Sequence, residues 1–318
     1  MRILDDYPLS DIVYYRIGGK AKKVFEVHSP LEVKDALSTC NKENITDLLV
    51  IGLGSNIIIP DSGFSGAVIK MVGDGTSFEI SGNRIKAFAG ETMDALIKES
   101  LASSLVGLEW AGGLPSSIGG AVRGNAGAFG NEAKDTFVEL EAFDTSDPEL
   151  SIRVYNKDQA AFSYRDSFFK HHPNLLITSV TFELKEGSLE EAKMAAEVYR
   201  EKIEYRETHH PMEYPSCGSV FKNIIEPEKV EKVLSVWPDV RELSDNKWHR
   251  KISMGYVINR LGFSGKKIGG AMVSHKHTNY IVNIDNAKAT DVRGLIQEIQ
   301  NKFHETFGFL PEPEVIIL

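Results

Sequence analysis

The chain has 318 residues, of which 42% are hydrophobic and 25% charged, an ordinary composition for a folded protein. That length exceeds what one hydrophobic core usually supports, so we expect at least two domains. The net charge of -9 argues against non-specific nucleic-acid binding, and the apolar runs are shorter than the roughly 20 residues that a membrane helix needs.

The first residues and the cysteines predict a cytoplasmic protein. The sequence begins "MRILDDYPLSD", which has acidic residues and no apolar core and so is not typical of a signal peptide. Cys40 and Cys217 are the two cysteines, and they form neither a CxxC motif nor a metal-ligand spacing. We therefore expect reduced thiols, no metal, and no contact with membrane or nucleic acid. A monomer is the expected state.

The N-terminal part predicts a small α+β unit rather than a doubly wound repeat. Ser29, Pro30 and Glu32 have the spacing of a capping box, in which Ser29 is the N-cap and Pro30 opens the helix. The predicted elements are, in chain order, a strand over 21–27, a helix from Pro30 to Cys40, and strands over 47–52, 56–60 and 66–71.

The rest of the chain predicts two further α+β parts. A strand over 84–90 and a helix opened by Thr92 begin one of them, which ends with a strand over 175–184. A long helix over 187–207, with Glu/Lys spacing on one face, bridges to the last part. There, helices are predicted over 226–236, 252–261 and 290–307, with short strands over 271–274 and 280–284.

These elements suggest a division of the chain into two domains. The N-terminal domain covers residues 1–186, with lobes of about 1–71 and 72–186. The C-terminal domain covers residues 187–318. Within it, residues 236–251 form a segment for which we predict a surface position and no particular function.

Two segments rich in glycine and small polar residues are candidate phosphate cradles: "GLGSN" (52–56) and "GGLPSSIGGAVRGNAGAFG" (112–130). Backbone N–H groups in such segments can point at an anion, and glycine lets the backbone approach closely. Glycines that merely permit turns are an equally good explanation for the first segment alone. Neither segment matches the dinucleotide fingerprint of a βαβ unit or a P-loop, so a dinucleotide held by loops is the better interpretation.

Six motifs in order resemble one enzyme family. They are "IGLGSNIII", the 112–130 segment, "FSYRDS", "YPSCGSVFKN", "KKIGGAMVSHKHTNYIVN" and the terminal "PEPEV". The sequence is similar from about Arg16 to Val315 to the UDP-N-acetylenolpyruvoylglucosamine reductases (MurB). The short path from "FSYRDS" to the 187–207 helix resembles the shorter, type II branch of that family.

The resemblance implies a fold and a cofactor. The expected fold is α+β, with a two-lobed FAD-binding domain of the vanillyl-alcohol-oxidase (PCMH) type and a C-terminal α+β substrate-binding domain. FAD is expected to be non-covalent, because residues 41–170 contain no His or Cys to anchor it. The implied FAD-binding residues are Gly52, Leu53, Gly54, Ser55, Asn56, Ile57, Gly113, Pro115, Ser116, Ser117, Gly119, Gly120, Asn125, Ala126 and Gly127.

The resemblance also implies a reaction. In this family NADPH reduces FAD and leaves, and flavin N5 then passes hydride to the vinyl carbon of UDP-N-acetylglucosamine enolpyruvate. The product is UDP-N-acetylmuramate, a peptidoglycan precursor. The hydride leaves carbanion character beside the substrate carboxylate, so the enolate needs electrostatic stabilisation and one proton at carbon.

Three residues match the catalytic positions of the family. Ser219 is implied as the proton donor, and a weak acid suffices because an enolate is very basic. Arg165 is implied to stabilise the intermediate through the substrate carboxylate, which its planar fork can bind bidentately. Glu314 is implied as the catalytic glutamate. Taken alone, such a serine is usually a local hydrogen-bonding group and such an arginine a surface ion-pair partner.

The implied substrate contacts are less specific. They are Tyr164, Arg206, His209, Asn223, Lys276 and His277. His209 departs from the family pattern, because relatives usually carry a lysine there that meets the substrate diphosphate. Cys217 is interpreted as a small neighbour in the turn rather than a nucleophile.

Two other functions remain open from sequence. One is an FAD oxidase on the same fold, and the other is a UDP-sugar-binding relative that has lost catalysis.

Overall fold

The computed structural model describes residues 1–318, and helices and strands occur throughout the chain. The helices are α1 Pro30–Lys42, α2 Met93–Ala102, α3 Ile118–Arg123, α4 Lys157–Ala160, α5 Leu189–His209, α6 Pro227–Val236, α7 Arg241–Asn246, α8 Met254–Arg260 and α9 Ala289–Phe307. The strands are β1 Arg2–Pro8, β2 Lys20–Val27, β3 Leu48–Ile51, β4 Ile57–Ile58, β5 Phe64–Met71, β6 Phe78–Ser81, β7 Arg84–Phe88, β8 Leu105–Val106, β9 Gly127–Ala128, β10 Asn131–Glu132, β11 Phe137–Asp144, β12 Ile152–Asn156, β13 Leu175–Glu183, β14 Lys185–Glu186, β15 Ser216–Ser219, β16 Lys267–Ile268, β17 Ala271–Val273, β18 Tyr280–Asn283 and β19 Ile316–Ile317.

The chain forms two compact units, each built from three separate stretches. Unit 1 consists of residues 1–7, 21–53 and 64–208. Unit 2 consists of residues 8–20, 54–63 and 209–318. The domain boundary placed after residue 186 on sequence grounds stays a prediction. By its contacts α5 belongs to unit 1, except for its last residue, His209.

Unit 1 contains two larger sheets with helices packed against them, and two further two-stranded pairs, β9 with β10 and β8 with β14. The strand order of the first sheet is β1-β2-β5-β3, and β5 runs parallel to both β2 and β3. The second sheet has the order β12-β11-β13-β7-β6 and is antiparallel throughout. Large apolar side chains from both sheets and from α1, α2 and α3 form one continuous core.

The helix starts of unit 1 follow from their capping residues. Ser29 caps α1, because its Oγ accepts a hydrogen bond from the Glu32 backbone N–H at 3.3 Å. The reciprocal bond of a capping box is absent, since the Glu32 carboxylate accepts instead from the N–H of His28 at 2.8 Å. Thr92 caps α2 as predicted, with its Oγ1 accepting from the Ala95 N–H at 3.0 Å.

Unit 2 is built on a four-stranded sheet and a parallel two-stranded pair. The sheet has the order β15-β18-β17-β16, and β19 pairs with β4. Tyr15 is fully buried in its core, where the phenolic hydroxyl donates to the Ile281 carbonyl at 2.8 Å. Asp61 caps α9 from a distant part of the chain by accepting from the N–H of Ala289 at 2.7 Å and of Thr290 at 3.1 Å.

The structure also contains elements that the sequence pattern did not predict. The strands β1, β11 and β12 are the largest of these. The 236–251 segment, predicted to lie at the surface, contains α7. It has exposed residues, but its Val240 is completely buried in the core of unit 2.

No helix is both long and apolar enough to cross a membrane. No group of three or more His, Cys, Asp or Glu side chains is arranged to hold a metal ion.

Candidate active site

In unit 1, Arg165 lies at the tip of a tight turn. Ser163 and Asp166 flank the turn and exchange two backbone hydrogen bonds, at 3.1 and 3.3 Å. Arg165 itself has a φ of 56°, the left-handed conformation that is uncommon for a residue with a Cβ. Its Nη2 donates to the Gly127 carbonyl at 2.5 Å. The turn therefore places the guanidinium against the glycine-rich segment.

Asn125 connects that segment to the turn. Its side chain is fully buried, and its Nδ2 donates to the Ser163 carbonyl at 2.7 Å and to the Glu132 carboxylate at 3.1 Å. Its Oδ1 accepts from the Lys134 N–H at 3.1 Å. Asn125 was predicted to bind FAD and that role stays a prediction. The contacts seen here join the glycine-rich segment to the turn at Ser163, two residues before Arg165.

The first glycine segment packs against the second. A Cβ placed on Gly52 would lie 1.9 Å from the Ser117 Oγ and 2.5 Å from its Cβ, so no side chain fits at this position. Lys70 on β5 donates from its Nζ to the Gly52 carbonyl, although the residue is only 8% exposed. Burial lowers the pKa of Lys70 from 10.5 to about 8, while Glu26 on the neighbouring strand opposes that shift. Sequence reasoning missed Lys70, because an alternating strand pattern gives no sign of a buried amine.

The N-terminal end of α3 is largely satisfied by the protein itself. The N–H groups of Ile118 and Gly119 donate to the carbonyls of Glu91 and Ala89, at 2.8 and 2.9 Å. The N–H of Gly120 donates to the Oγ of Ser117, the N-cap, at 3.3 Å. If Gly119 and Gly120 contact a cofactor as predicted, they do so through atoms other than these amides.

The helix α5 braces the second glycine segment at both ends. Arg206 is 6% exposed, and its Nε donates to the Gly112 carbonyl at 2.8 Å. Near the other end of the segment, Phe129 packs edge-on against Tyr205 at 5.3 Å and lies 4.5 Å from the Nζ of Lys202. The predicted substrate role of Arg206 stays a prediction, but these contacts give the side chain a positioning task within unit 1.

In unit 2, Ser219 and Glu314 lie close together. Ser219 ends β15, half-buried, after an irregularity in the strand where Gly218 has a φ of 75°. The terminal segment runs beside the next residues, since the Glu314 N–H donates to the Val220 carbonyl at 2.7 Å. Asn56 joins the same group by donating from its Nδ2 to the Glu314 carbonyl at 3.3 Å. The fold thus brings together two of the predicted catalytic residues, 95 positions apart in the chain, and one predicted cofactor contact.

Cys217 is chemically inert in this environment. The residue is 2% exposed, and burial raises the pKa of its thiol to about 12, with Glu314, when ionised, acting in the same direction. A thiolate is therefore scarce at neutral pH. This agrees with its interpretation as a small neighbour in the turn.

The predicted substrate contacts of unit 2 differ in exposure. Asn223 and Lys276 are exposed, and each has a partner: Asn223 Oδ1 accepts from the Met254 N–H at 3.0 Å, and Lys276 pairs with Glu213 at 3.1 Å. His277 is half-buried, packs against the rings of His210 and Tyr280, and has its pKa lowered by burial. His209 is exposed at the end of α5.

Tyr164, the predicted substrate contact of unit 1, precedes Arg165 in the turn. The guanidinium carbon of Arg165 lies 5.3 Å from the centre of the Tyr164 ring.

The fold and these residues define a class of protein, a flavoprotein oxidoreductase with an FAD-binding domain. Residues 21–150 match the family described as "FAD binding domain". Residues 210–318 match the family described as "UDP-N-acetylenolpyruvoylglucosamine reductase, C-terminal domain".

Whole-chain relatives identify the family. The chain is 34% identical over 315 residues to a UDP-N-acetylenolpyruvoylglucosamine reductase of Caldicellulosiruptor bescii, covering 99% of this chain and 90% of the relative. It is also 34% identical to UDP-N-acetylenolpyruvoylglucosamine reductase 2 of Bacillus cereus, covering 99% and 92%. The crystal structure of the Thermus caldophilus reductase (MurB) superposes with a TM-score of 0.72 at 28% identity, covering 99% and 98% of the two chains. The chain belongs to the UDP-N-acetylenolpyruvoylglucosamine reductase family, and the predicted fold class is confirmed.

The residues of unit 1 fit an FAD cofactor. The turn at Gly52 has no room for a side chain and is held by a buried lysine, and the hydroxyls of Ser116 and Ser117 lie 3.5 and 3.1 Å from the position of a Cβ on the exposed Gly120. A backbone stripped of side chains, with a buried positive charge beside it, suits a dinucleotide diphosphate. The Ser116 hydroxyl is engaged within the protein, since it donates to the Ser117 carbonyl at 2.9 Å.

Proposed function

We propose that this protein reduces UDP-N-acetylglucosamine enolpyruvate to UDP-N-acetylmuramate, with NADPH as the reductant and FAD as the carrier. The observation that carries the proposal is the backbone hydrogen bond from Glu314 to Val220, the residue after Ser219, in a chain that belongs to the reductase family over nearly its full length. We place the activity in the cytoplasm, in the synthesis of peptidoglycan precursors. The proposal includes non-covalent FAD and a monomeric enzyme.

FAD, when bound, accepts hydride from NADPH and supplies it to the substrate. The chain contributes the proton and the electrostatic support. Ser219 donates its hydroxyl proton to the carbon that bears the carboxylate, where negative charge accumulates. Ser219 is half-buried at the end of β15, so its hydroxyl is accessible to a substrate. Gly218, with its positive φ, allows the backbone to bend just before it.

Arg165 binds the substrate carboxylate in this proposal. A guanidinium offers parallel donors that match the two carboxylate oxygens and spread the enolate charge. The bond from Nη2 to the Gly127 carbonyl fixes one side of the fork, so the side chain is pre-organised before substrate arrives.

Glu314 acts in its protonated form, donating a hydrogen bond to the enolate oxygen. Glu314→Gln keeps a donor of similar shape but cannot ionise. We therefore expect this variant to alter the pH–rate profile of enolate reduction, and an unchanged profile would contradict a protonated carboxyl.

The test separates the two half-reactions under anaerobic conditions. NADPH should bleach the flavin absorbance of the purified protein, and UDP-N-acetylglucosamine enolpyruvate should restore it with formation of the lactyl ether. Ser219→Ala should bleach normally and recover at least about 100-fold more slowly, given what a positioned general acid contributes. Ser235→Ala, an exposed serine of the same unit, is the matched control and should behave like the natural protein.

Two results would contradict the proposal. A flavin that stays bleached with substrate and recovers its colour in air would indicate an oxidase. A protein that binds the UDP-sugar but is not bleached by NADPH would be a non-catalytic binding protein.

A further inference from the structure

The turn that carries Arg165 is held by a second cation, Lys170. Its Nζ donates to the backbone carbonyl of Arg165 at 2.9 Å. Lys170 follows Arg165 by five residues, in a short helical turn over Phe168–Lys170. The contact is to the main chain of Arg165, so it acts on the peptide that sets the direction of the arginine side chain.

Arg165 adopts a conformation that its side chain disfavours. A left-handed φ of 56° costs about 1–2 kcal/mol for a residue with a Cβ, and such strain persists only where the surroundings enforce it. Two backbone hydrogen bonds between Ser163 and Asp166 hold the two ends of the turn together. Neither of those bonds involves the carbonyl of Arg165, which the Lys170 ammonium binds instead.

The neighbouring side chains have other partners. The Asp166 carboxylate accepts from the Ser167 N–H at 3.0 Å and contacts the Nε2 of His171 at 2.8 Å. Partial burial raises its pKa, but these hydrogen bonds and the nearby charge of Lys170 outweigh that effect, so the pKa is lowered. The Ser167 hydroxyl donates to the Arg123 carbonyl at 2.7 Å. Of these side chains, Lys170 is the one that contacts the arginine peptide directly.

We propose that Lys170 is a positioning residue for Arg165: its ammonium holds the strained peptide so that the guanidinium faces the substrate carboxylate before substrate binds. This inference rests on the proposed function, in which Arg165 binds that carboxylate. The hydrogen bond from Arg165 Nη2 to Gly127 holds the far end of the same side chain, so contacts at both its peptide and its guanidinium restrict its orientation. A misplacement of about 1 Å in such a group can lower a rate by about 100-fold.

The first variant is Lys170→Met, which keeps the length of the side chain and removes its charge and its hydrogen-bond donors. We expect about a tenfold rise in the Kd of UDP-N-acetylglucosamine enolpyruvate for the oxidised protein, measured by calorimetry, and a similar loss in the rate of flavin recovery. Bleaching by NADPH should stay within about twofold. Lys170→Arg, which can still donate to the carbonyl, should recover most of both losses.

The second step asks whether Lys170 acts through Arg165. In a protein that already carries Arg165→Ala, adding Lys170→Met should change the Kd and the recovery rate by less than about twofold. Lys86→Met is the control for loss of a lysine contact in unit 1, because Lys86 pairs with Glu141 at 2.7 Å on the second sheet. It should leave both measurements within about twofold of the natural protein.

The outcomes are distinguishable. If the natural protein neither binds the substrate nor recovers its colour with it, the proposed function fails. If the natural protein does both and Lys170→Met equals it, the positioning role is wrong. If Lys170→Met weakens substrate binding and slows flavin recovery equally in the natural protein and in Arg165→Ala, Lys170 is a general structural residue. This result too would overturn the inference.

Discussion

Replacing Lys70 with methionine should remove a large pH dependence of stability. The ammonium of Lys70 is buried beneath the Gly52 turn, and desolvation lowers its pKa from 10.5 to about 8. At about 1.4 kcal/mol for each pKa unit, that difference corresponds to about 3 kcal/mol of penalty on the charged form in the folded state. Methionine fills a similar volume and carries no charge.

The sign follows from proton binding. Below pH 8 the lysine is charged in both the folded and the unfolded chain, so the full penalty is present. Between about pH 8 and 10.5 the folded chain releases the proton while the unfolded chain still holds it, and the free energy of unfolding therefore rises with pH. Wild-type stability relative to Lys70→Met should increase by about 2–3 kcal/mol between pH 7.5 and pH 10.

Urea unfolding followed by circular dichroism measures this difference at both pH values. The difference in the free energy of unfolding between wild type and Lys70→Met isolates the titration of Lys70, because the other groups contribute equally to both proteins. Lys98→Met is the control, because Lys98 is exposed and pairs with Asp94 one helical turn away, so its relative stability should hardly change with pH. If wild type and Lys70→Met shift in parallel to within about 0.5 kcal/mol, the buried ammonium is not desolvated as described.

Three further substitutions test local contacts. Gly52→Ala would place a Cβ 1.9 Å from the Ser117 Oγ, so we expect a loss of about 2–3 kcal/mol in thermal unfolding together with weaker FAD retention. Gly82→Ala meets no atom within 4 Å; its φ of 59° strains the backbone of the β6–β7 turn, but FAD retention should stay normal. Ser29→Ala removes the N-cap of α1 and should lower the free energy of unfolding by about 1 kcal/mol, or the melting temperature by about 3 °C; no change would show that Pro30 alone sets the helix start. Asp61→Ala leaves two amides of α9 without their acceptor and should lower the free energy of unfolding by about 2 kcal/mol. The backbone bonds from Ala289 and Thr290 outweigh burial and lower the pKa of Asp61. The difference in stability between wild type and variant should therefore fade as the pH drops below about 4.

The sequence predicted local elements well where a capping residue or an apolar run marks them. Ser29 and Thr92 begin helices as expected, and the strand predicted over 66–71 lies within β5. The strands β1 and β12 were missed because their side chains are mostly exposed, and such strands lack the apolar alternation that reveals half-buried ones.

The catalytic roles of the site residues stay predictions, and their arrangement in space could not be read from the sequence. The motifs pointed to Ser219 and Glu314, yet only the fold shows that Glu314 bonds to the backbone of Val220, the residue after Ser219. Lys70 and Lys170 could not be foreseen, because a lysine in a strand or a surface turn is normally solvated. Each of them instead donates to a backbone carbonyl, Lys70 to that of Gly52 and Lys170 to that of Arg165. The positions of these carbonyls depend on tertiary structure, which the local sequence pattern does not reveal.

The discontinuity of unit 2 limits how the protein can be made and divided. Its last strand, β19, pairs with β4 near residue 57, and its core takes Tyr15, Ile17 and Ile58 from the first part of the chain. A polypeptide of residues 210–318 alone would lack those side chains and should not fold to the same state. During synthesis, residues 8–20 and 54–63 therefore lack most of the partners of unit 2 until residues 209–318 have been made. Gene fragments that exchange only the C-terminal part would fail for the same reason, and the two units have to be inherited together.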